Sequence, residues 1–220
     1  MAPARVFVMM KPLAESKSRL AGELPSARRA LLSIGMLVRV LRAACAQSDA
    51  AVTVVGGDET VRTLSESLGA AFLPEPAAGL NESLAHALGD AGGLYLPADL
   101  PLVEREDVAR LLAEAGPGHI VLAPDRRDEG TNALLLPPGI GFAPAFGERS
   151  FERHLRQARE LGLAARVCRG AGLLLDVDTP ADLTALLDRR PAWWEETESM
   201  LRALSLPDET LSASSRPSPL

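Results

Sequence analysis

Cysteine is scarce in this chain: two in 220 residues. Cys45 and Cys168 lie far apart on apolar segments, with no CxxC and no Cys/His spacing, so reduced, buried thiols are expected rather than a disulfide or a zinc site. Long apolar runs are missing too. None approaches the roughly 20 residues that a bilayer span requires, and Met1-Ala2-Pro3-Ala4-Arg5 is followed at once by a strand-like run, so the expectation is a soluble cytoplasmic protein. Positive charge is in deficit. A net charge of -6 and a pI near 5.2 argue against a general nucleic-acid or anionic-membrane binder, and any basic cluster must be local. Neither GxGxxG nor GxxxxGK(S/T) occurs, so a dinucleotide dehydrogenase or a P-loop enzyme would lack its phosphate cradle. No internal repeat or low-complexity linker interrupts the body of the chain.

What is present is an alternation. Apolar runs at 5–10, 51–55, 70–73, 93–96, 119–123, 132–136, 165–168 and 173–176 predict strands. Helical patterns fall between them at 26–46, 58–68, 80–91, 103–115, 150–162 and 180–189. The first half reads as βαβ units, which predicts a single α/β domain with a mostly parallel mixed sheet, Rossmann-like and flanked by helices. Ligands then belong at the carboxyl ends of the strands. The domain is expected to occupy residues 1–190. Residues 191–204, opened by Trp193-Trp194, read as a C-terminal helix, and 205–220, rich in Ser, Pro and Thr, as a disordered tail. In helix 26–46, Leu31, Ile34, Val38 and Leu41 form one stripe, with Arg28, Arg29, Arg39 and Arg42 mainly elsewhere.

The strongest chemical signal is Asp176-Val177-Asp178. In an extended segment side chains alternate faces, so the two carboxylates point the same way and Val177 turns inward. Like charges aimed at one spot call for a cation, and hard oxygen donors favour Mg²⁺. Asp99, in Leu96-Pro97-Ala98-Asp99-Leu100-Pro101, ends another apolar run. Singly, Asp178 could be a helix cap and Asp99 a turn former. Thr179-Pro180-Ala181-Asp182 supplies a cap, a proline at the first helical position and an acid at the third.

A basic loop, Lys11 to Arg19 with Lys17 between, follows the first strand and is placed to neutralise a polyphosphate. In Gly79-Leu80-Asn81, Asn81 can cap a helix or present its amide to a base edge. The polar stretch Asp125 to Asn132 contains Gly130 and Thr131, a glycine and a hydroxyl that could approach a small anion. Gly147 precedes and Ser150 opens helix 150–162, whose free N–H groups suit a carboxylate or phosphate. His154, one turn in, could meet the ligand or sit in water.

In this order the motifs resemble the 2-phospho-L-lactate or phosphoenolpyruvate guanylyltransferases of deazaflavin coenzyme F-420 biosynthesis. The resemblance rests on Lys11-Pro12-Leu13, Lys17-Ser18-Arg19-Leu20, Gly79-Leu80-Asn81, Leu96-Pro97-Ala98-Asp99-Leu100-Pro101, Gly130-Thr131-Asn132-Ala133-Leu134, Phe146-Gly147, Ser150-Phe151, His154 and Asp176 through Leu183. It covers residues 5 to about 187 and leaves out the tail from Trp193. It implies a nucleotide-diphospho-sugar transferase-like fold and transfer of GMP from GTP to a small phosphorylated acid (phospholactate, phosphoenolpyruvate or phosphoglycerate), with release of pyrophosphate. In those terms Asp99, Asp176 and Asp178 hold two Mg²⁺ ions. Thr131, Gly147 and Ser150 surround the acceptor. Lys11, Lys17 and Arg19 meet the triphosphate, with Gly79 and Asn81 also on the nucleotide and Lys17, Arg19 and Asp99 catalytic. A downstream deazaflavin-transfer enzyme is an implied partner. The rival readings are a nucleotidyltransferase acting on a sugar phosphate or molybdopterin, a metal-dependent glycosyltransferase, and a nucleotide-binding regulator without activity.

Overall fold

The computed structural model describes residues 3–74, 81–82, 84–85, 91–189, 193 and 196. Gly79, most of the expected 80–91 helix, and the 191–220 segment apart from Trp193 and Glu196 lie outside them. The described elements are β1 (Ala4–Met9), α1 (Ser26–Cys45), β2 (Ala50–Val55), α2 (Glu59–Ser67), β3 (Ala71–Leu73), β4 (Gly93–Pro97), α3 (Arg105–Ala113), β5 (His119–Pro124), β6 (Thr131–Leu136), α4 (Ser150–Glu160), β7 (Ala164–Val167) and α5 (Pro180–Leu187), with 3-10 turns at Leu13–Glu15, Ser18–Leu20 and Ala171–Leu173. No helix among the described residues is long and apolar enough to cross a membrane.

The strands form one sheet in the order β3-β2-β1-β4-β6-β5-β7. All pairings are parallel except those of β6, which runs against both β4 and β5. Period-two alternation sorts the strand residues between two layers. Val6 and Val8 face a core shared with Ile34, Leu41, Val61 and Leu111 of the helices. Phe7 and Met9 face the opposite core, with Phe151 and Ala158 of α4. A third cluster beyond the sheet joins Leu20, Leu32, Met36, Leu175, Val177, Leu186 and Trp193. Helix α1 is therefore wedged between clusters rather than laid down on one stripe: Leu32 and Met36 are as buried as Ile34 and Leu41. Its Gly35 leaves room for the Trp193 ring, which would collide with any Cβ placed there.

Two expectations need correction. Residues 173–176 are not a strand; they comprise the end of the Ala171–Leu173 turn, Leu174 with helical backbone, and the start of a segment that pairs with no strand. Asn132 of β6 ties this segment through the Leu173 carbonyl, 2.8 Å away, but β6 is already flanked by β4 and β5, so no ladder is open to it. The alternation survives without a ladder, because Leu175 and Val177 are buried and Asp176 and Asp178 are not. Cys45 and Cys168 are free, as expected, but only half-buried.

Candidate active site

Register brings the first two site loops together. Met9 of β1 is paired with Pro97 of β4, so Lys11 and Asp99 each lie two residues past the end of adjacent parallel strands. Reversal of β6 puts its first residue, Thr131, at the same edge. A register irregularity between Ala123 and Pro124 then opens the loop 125–130, as bulges at sheet rims commonly do. Inside that loop the buried Asp125 carboxylate accepts from the N–H groups of Arg127 (3.0 Å) and Glu129 (2.9 Å). The stretch is thus a surface turn, exposed at 126–129, that is ordered by winding on a buried acid.

These pieces surround a cavity of about 1010 Å³ whose lining includes Lys11, Lys17, Arg19, Asp99, Thr131, Gly147, Ser150, Asp176 and Asp178. Lys17, Asp128 and Arg149 are the three non-glycine residues with left-handed backbone among the described residues, at φ 52°, 60° and 51°, and all three line it. Such conformations cost free energy and concentrate where surrounding structure enforces a functional geometry. Gly147, at φ 111°, adopts a turn that only glycine enters readily.

The charged end is held by Lys17. Its side chain is 8% exposed, and its ammonium lies 2.6 Å from Asp99 Oδ2 and 2.8 Å from Asp178 Oδ1. Burial disfavours the charge, but the two carboxylates outweigh that and raise the lysine pKa. Asp178 is correspondingly lowered: burial would push it up, and Lys17, then Arg19 and Lys11, prevail. Asp176 has no such relief. Burial first, then the Asp99 carboxylate, pushes it up to about 6, although Asn132 Nδ2 approaches at 3.4 Å.

As donors the three acids suit a hard divalent cation: Asp99 Oδ1 is buried without a hydrogen-bond partner, and Asp176 carries uncompensated negative surroundings. Among the described residues, however, no three His, Cys, Asp or Glu side chains are gathered closely enough to hold a metal ion as they stand. The space between Asp99 and Asp178 is bridged by the ammonium.

The capping alternative for Asp178 does not hold. Thr179 is the N-cap of α5, and Thr179 and Asp182 form a reciprocal capping box. Asp182 Oδ2 accepts from the Thr179 N–H (2.9 Å) and hydroxyl (2.7 Å), while its Oδ1 meets Arg126 and Arg127. One buried acid therefore clasps the start of α5 to the loop 125–130, a role sequence reasoning missed because Asp182 reads as an ordinary helix-start acid.

At the other end of the cavity the Ser150 hydroxyl is 3.2 Å from Thr131 Oγ1, which is 3.0 Å from His154 Nδ1. His154 is fully buried rather than in water. The helix start offers fewer free N–H groups than expected, because those of Ser150 and Phe151 go to the carbonyls of Gly147 and Glu129, both at 3.1 Å. Asn81 faces the loop before α4: its Oδ1 accepts from the Phe146 N–H at 2.9 Å and its Nδ2 donates to the Phe146 carbonyl at 3.2 Å. Asn132 and Asp125 are the further side chains that order the site. A polar residue opening the otherwise apolar run 132–136 was the available signal for the first.

The family described as "Guanylyl transferase CofC like" matches residues 4–207. The chain belongs to this family. The match runs past Trp193, beyond the extent of the motifs read from sequence. Among the guanylyltransferase's relatives, a phosphoenolpyruvate guanylyltransferase of Sphaerobacter thermophilus is 40% identical over 200 residues, 87% of this chain and 96% of the relative. One from Rubrobacter xylanophilus is 42% identical over 186 residues, 81% of this chain and 91% of the relative. A 3-phospho-D-glycerate guanylyltransferase of Phenylobacterium zucineum is 36% identical over 178 residues, 76% of this chain and 82% of the relative. A solved nucleotidyl transferase from Methanothermobacter shares the fold at TM-score 0.61 and 17% identity, covering 88% of this chain and 99% of its own. The fold is thus the nucleotidyltransferase-like one, and the guanylyltransferase is a nucleotidyltransferase.

Proposed function

We propose that the protein transfers GMP from GTP to phosphoenolpyruvate and releases pyrophosphate. The observation that carries this reading is the single cavity in which three acids, a basic loop and a pair of hydroxyls meet, in a member of a guanylyl transferase family. The choice of acceptor follows the relatives of about 40% identity, which are named for phosphoenolpyruvate. A relative named for 3-phospho-D-glycerate keeps that acid as the second reading.

An acceptor phosphate is ionised at neutral pH and can attack the α-phosphorus of GTP without a general base, so the protein's task is positioning and charge neutralisation. Lys11 and Arg19 line the cavity and would take the departing pyrophosphate, with Lys17 sharing its ammonium between the carboxylates and the triphosphate. Gly79 and Asn81 are assigned to the nucleotide; one N–H of the Asn81 amide remains for a base edge after its bond to Phe146. Thr131, Gly147 and Ser150 orient the acceptor. Asp99, Asp176 and Asp178 would hold two Mg²⁺ ions, which supply neutralisation of the attacking and leaving oxygens when bound. The site would operate in the cytoplasm within F-420 biosynthesis, its product passing to a deazaflavin-transfer enzyme.

The test is mass spectrometry of the purified protein with GTP, Mg²⁺ and, separately, phosphoenolpyruvate, 3-phosphoglycerate and 2-phospho-L-lactate, with pyrophosphate measured in parallel. A GMP adduct of phosphoenolpyruvate is expected. Adducts only with sugar phosphates, or only from another nucleoside triphosphate, would overturn the reading.

A further inference from the structure

Among the buried titratable groups that the mechanism leaves unused, one borders the acceptor end of the cavity. His154 is fully buried between Phe142 and Phe146, with ring centroids 5.8 and 5.1 Å away. Yet both ring nitrogens are engaged, and on one side the partner's role is fixed: the Ala145 N–H lies 2.9 Å from Nε2 and can only donate. Nε2 must therefore be the acceptor, which puts the ring proton of a neutral imidazole on Nδ1. Nδ1 faces Thr131 Oγ1 at 3.0 Å, so the histidine donates to the threonine.

That assignment decides what the hydroxyls can do. Thr131 and Ser150 have one O–H each and bond to one another, which uses one of the two protons. If Thr131 had to donate to His154, the other would be used as well and the pair would present only lone pairs. Because Thr131 accepts from His154, one O–H stays free, and both residues line the cavity. With the N–H groups of Ser150 and Phe151 already committed, this proton becomes a donor that the start of α4 can offer an anion.

We propose that His154 is a positioning residue of the acceptor site: its Nδ1–H fixes the Thr131–Ser150 pair as a donor of one O–H toward the acceptor's carboxylate or phosphate. This rests on the assignment of Thr131 and Ser150 to the acceptor. His154 itself does not touch the substrate; it acts through Thr131.

Glutamine and asparagine separate its two nitrogens. In His154→Gln the side-chain oxygen can replace Nε2 and keep the Ala145 N–H satisfied, while the donor to Thr131 is lost. In His154→Asn the amide NH₂ can replace Nδ1 and keep the donor, while Ala145 loses its partner. Steady-state pyrophosphate release is measured with phosphoenolpyruvate varied at saturating GTP and the reverse, alongside thermal melts. His154→Gln should lower acceptor kcat/KM about tenfold, as expected for loss of one hydrogen bond to a charged group, with GTP KM unchanged and melting near wild type. His154→Asn should melt lower yet keep acceptor kcat/KM within about threefold of wild type. Adding His154→Gln to Thr131→Val should cause no further loss, since the histidine acts through a hydroxyl already removed.

Additive losses in the double variant, or an acceptor kcat/KM for His154→Gln within twofold of wild type, would overturn the proposal. The underlying site assignment fails differently: Thr131→Val and Ser150→Ala would then depress GTP and acceptor parameters equally, or leave the acceptor untouched. Should His154→Asn not fold, the cycle between His154→Gln and Thr131→Val decides alone.

Discussion

Lys17 occupies a place where one positive charge holds two negative ones. Lys17→Met would leave Asp99 and Asp178 facing each other without the ammonium. A fully buried pair loses about 3–5 kcal/mol when one partner is removed. Asp178 is 46% exposed, so solvent reduces the expected cost to roughly 1–3 kcal/mol. Calorimetry or thermal melts in increasing Mg²⁺ should show a variant that melts lower but gains more from the ion than wild type does. Equal Mg²⁺ responses would mean that the lysine and the cation do not compete for the carboxylates. His154 yields a prediction in pH. Burial, then the Arg153 guanidinium, pushes it down to about 4 from 6.5, so the native state binds fewer protons than the unfolded chain between those values. The sign follows: the full contribution is present above pH 6.5 and is lost as pH falls toward 4, amounting to roughly 3 kcal/mol. Melts at pH 7.5 and 4.5 should drop further for wild type than for His154→Gln. The sequence identified this residue and offered two surroundings for it, the ligand or water. A third, between two phenylalanines, was hidden because Phe142 comes from a loop whose path no periodicity records.

At the start of α5 the sequence placed the cap, the proline and the acid where the structure has them, because capping is local and its residues are contiguous. The segment before it was legible in its facing and not in its pairing. Alternation told correctly that Asp176 and Asp178 share a side, but a period of two describes any extended chain, and only the neighbours decide whether a ladder forms. The offset between Asp178 and Thr179 turns this into an experiment. Thr179→Ala removes the cap and should cost about 1 kcal/mol, a fall of roughly 2–4 °C in Tm, with turnover largely kept. Asp178→Asn should behave in the opposite way, melting within a few degrees of wild type while losing most guanylyl transfer. If Asp178→Asn turned over normally, its place beside Lys17 would be structural. Helix α1 was likewise half legible. Its apolar stripe was visible, while Leu32 and Met36 on the other side find partners in Leu20, the 175–177 segment, Leu186 and Trp193, most of them far away in sequence.

For the molecule as a whole, Trp193 binds distant parts together. Its cluster draws on the loop after β1 (Leu20), α1 (Leu32, Met36), the segment carrying the acids (Leu175, Val177) and α5 (Leu186). Glycine inside a helix is unfavourable by about 1 kcal/mol relative to alanine, so Gly35 was a sign in the sequence that something presses close. Trp193→Ala should cost about 3–5 kcal/mol, or roughly 10 °C in Tm, and should raise the Mg²⁺ needed for half-maximal activity as the backing of Asp176 and Asp178 loosens. A melt unchanged within a degree would place the ring at the surface. The order of strands along the chain was readable, but the reversed direction of β6 was not, since an apolar run such as Ala133–Leu136 looks the same read either way. That reversal also bears on how the site comes into being. β6 slots between β4 and β5, brings Thr131 to the rim, and through Asn132 holds the strip that carries Asp176. A chain with β6 still outside the sheet would have its acids and its hydroxyls on unconnected pieces. The cavity is therefore a product of completed folding, and loss of catalysis in denaturant should coincide with loss of the fold, with no partly active intermediate between.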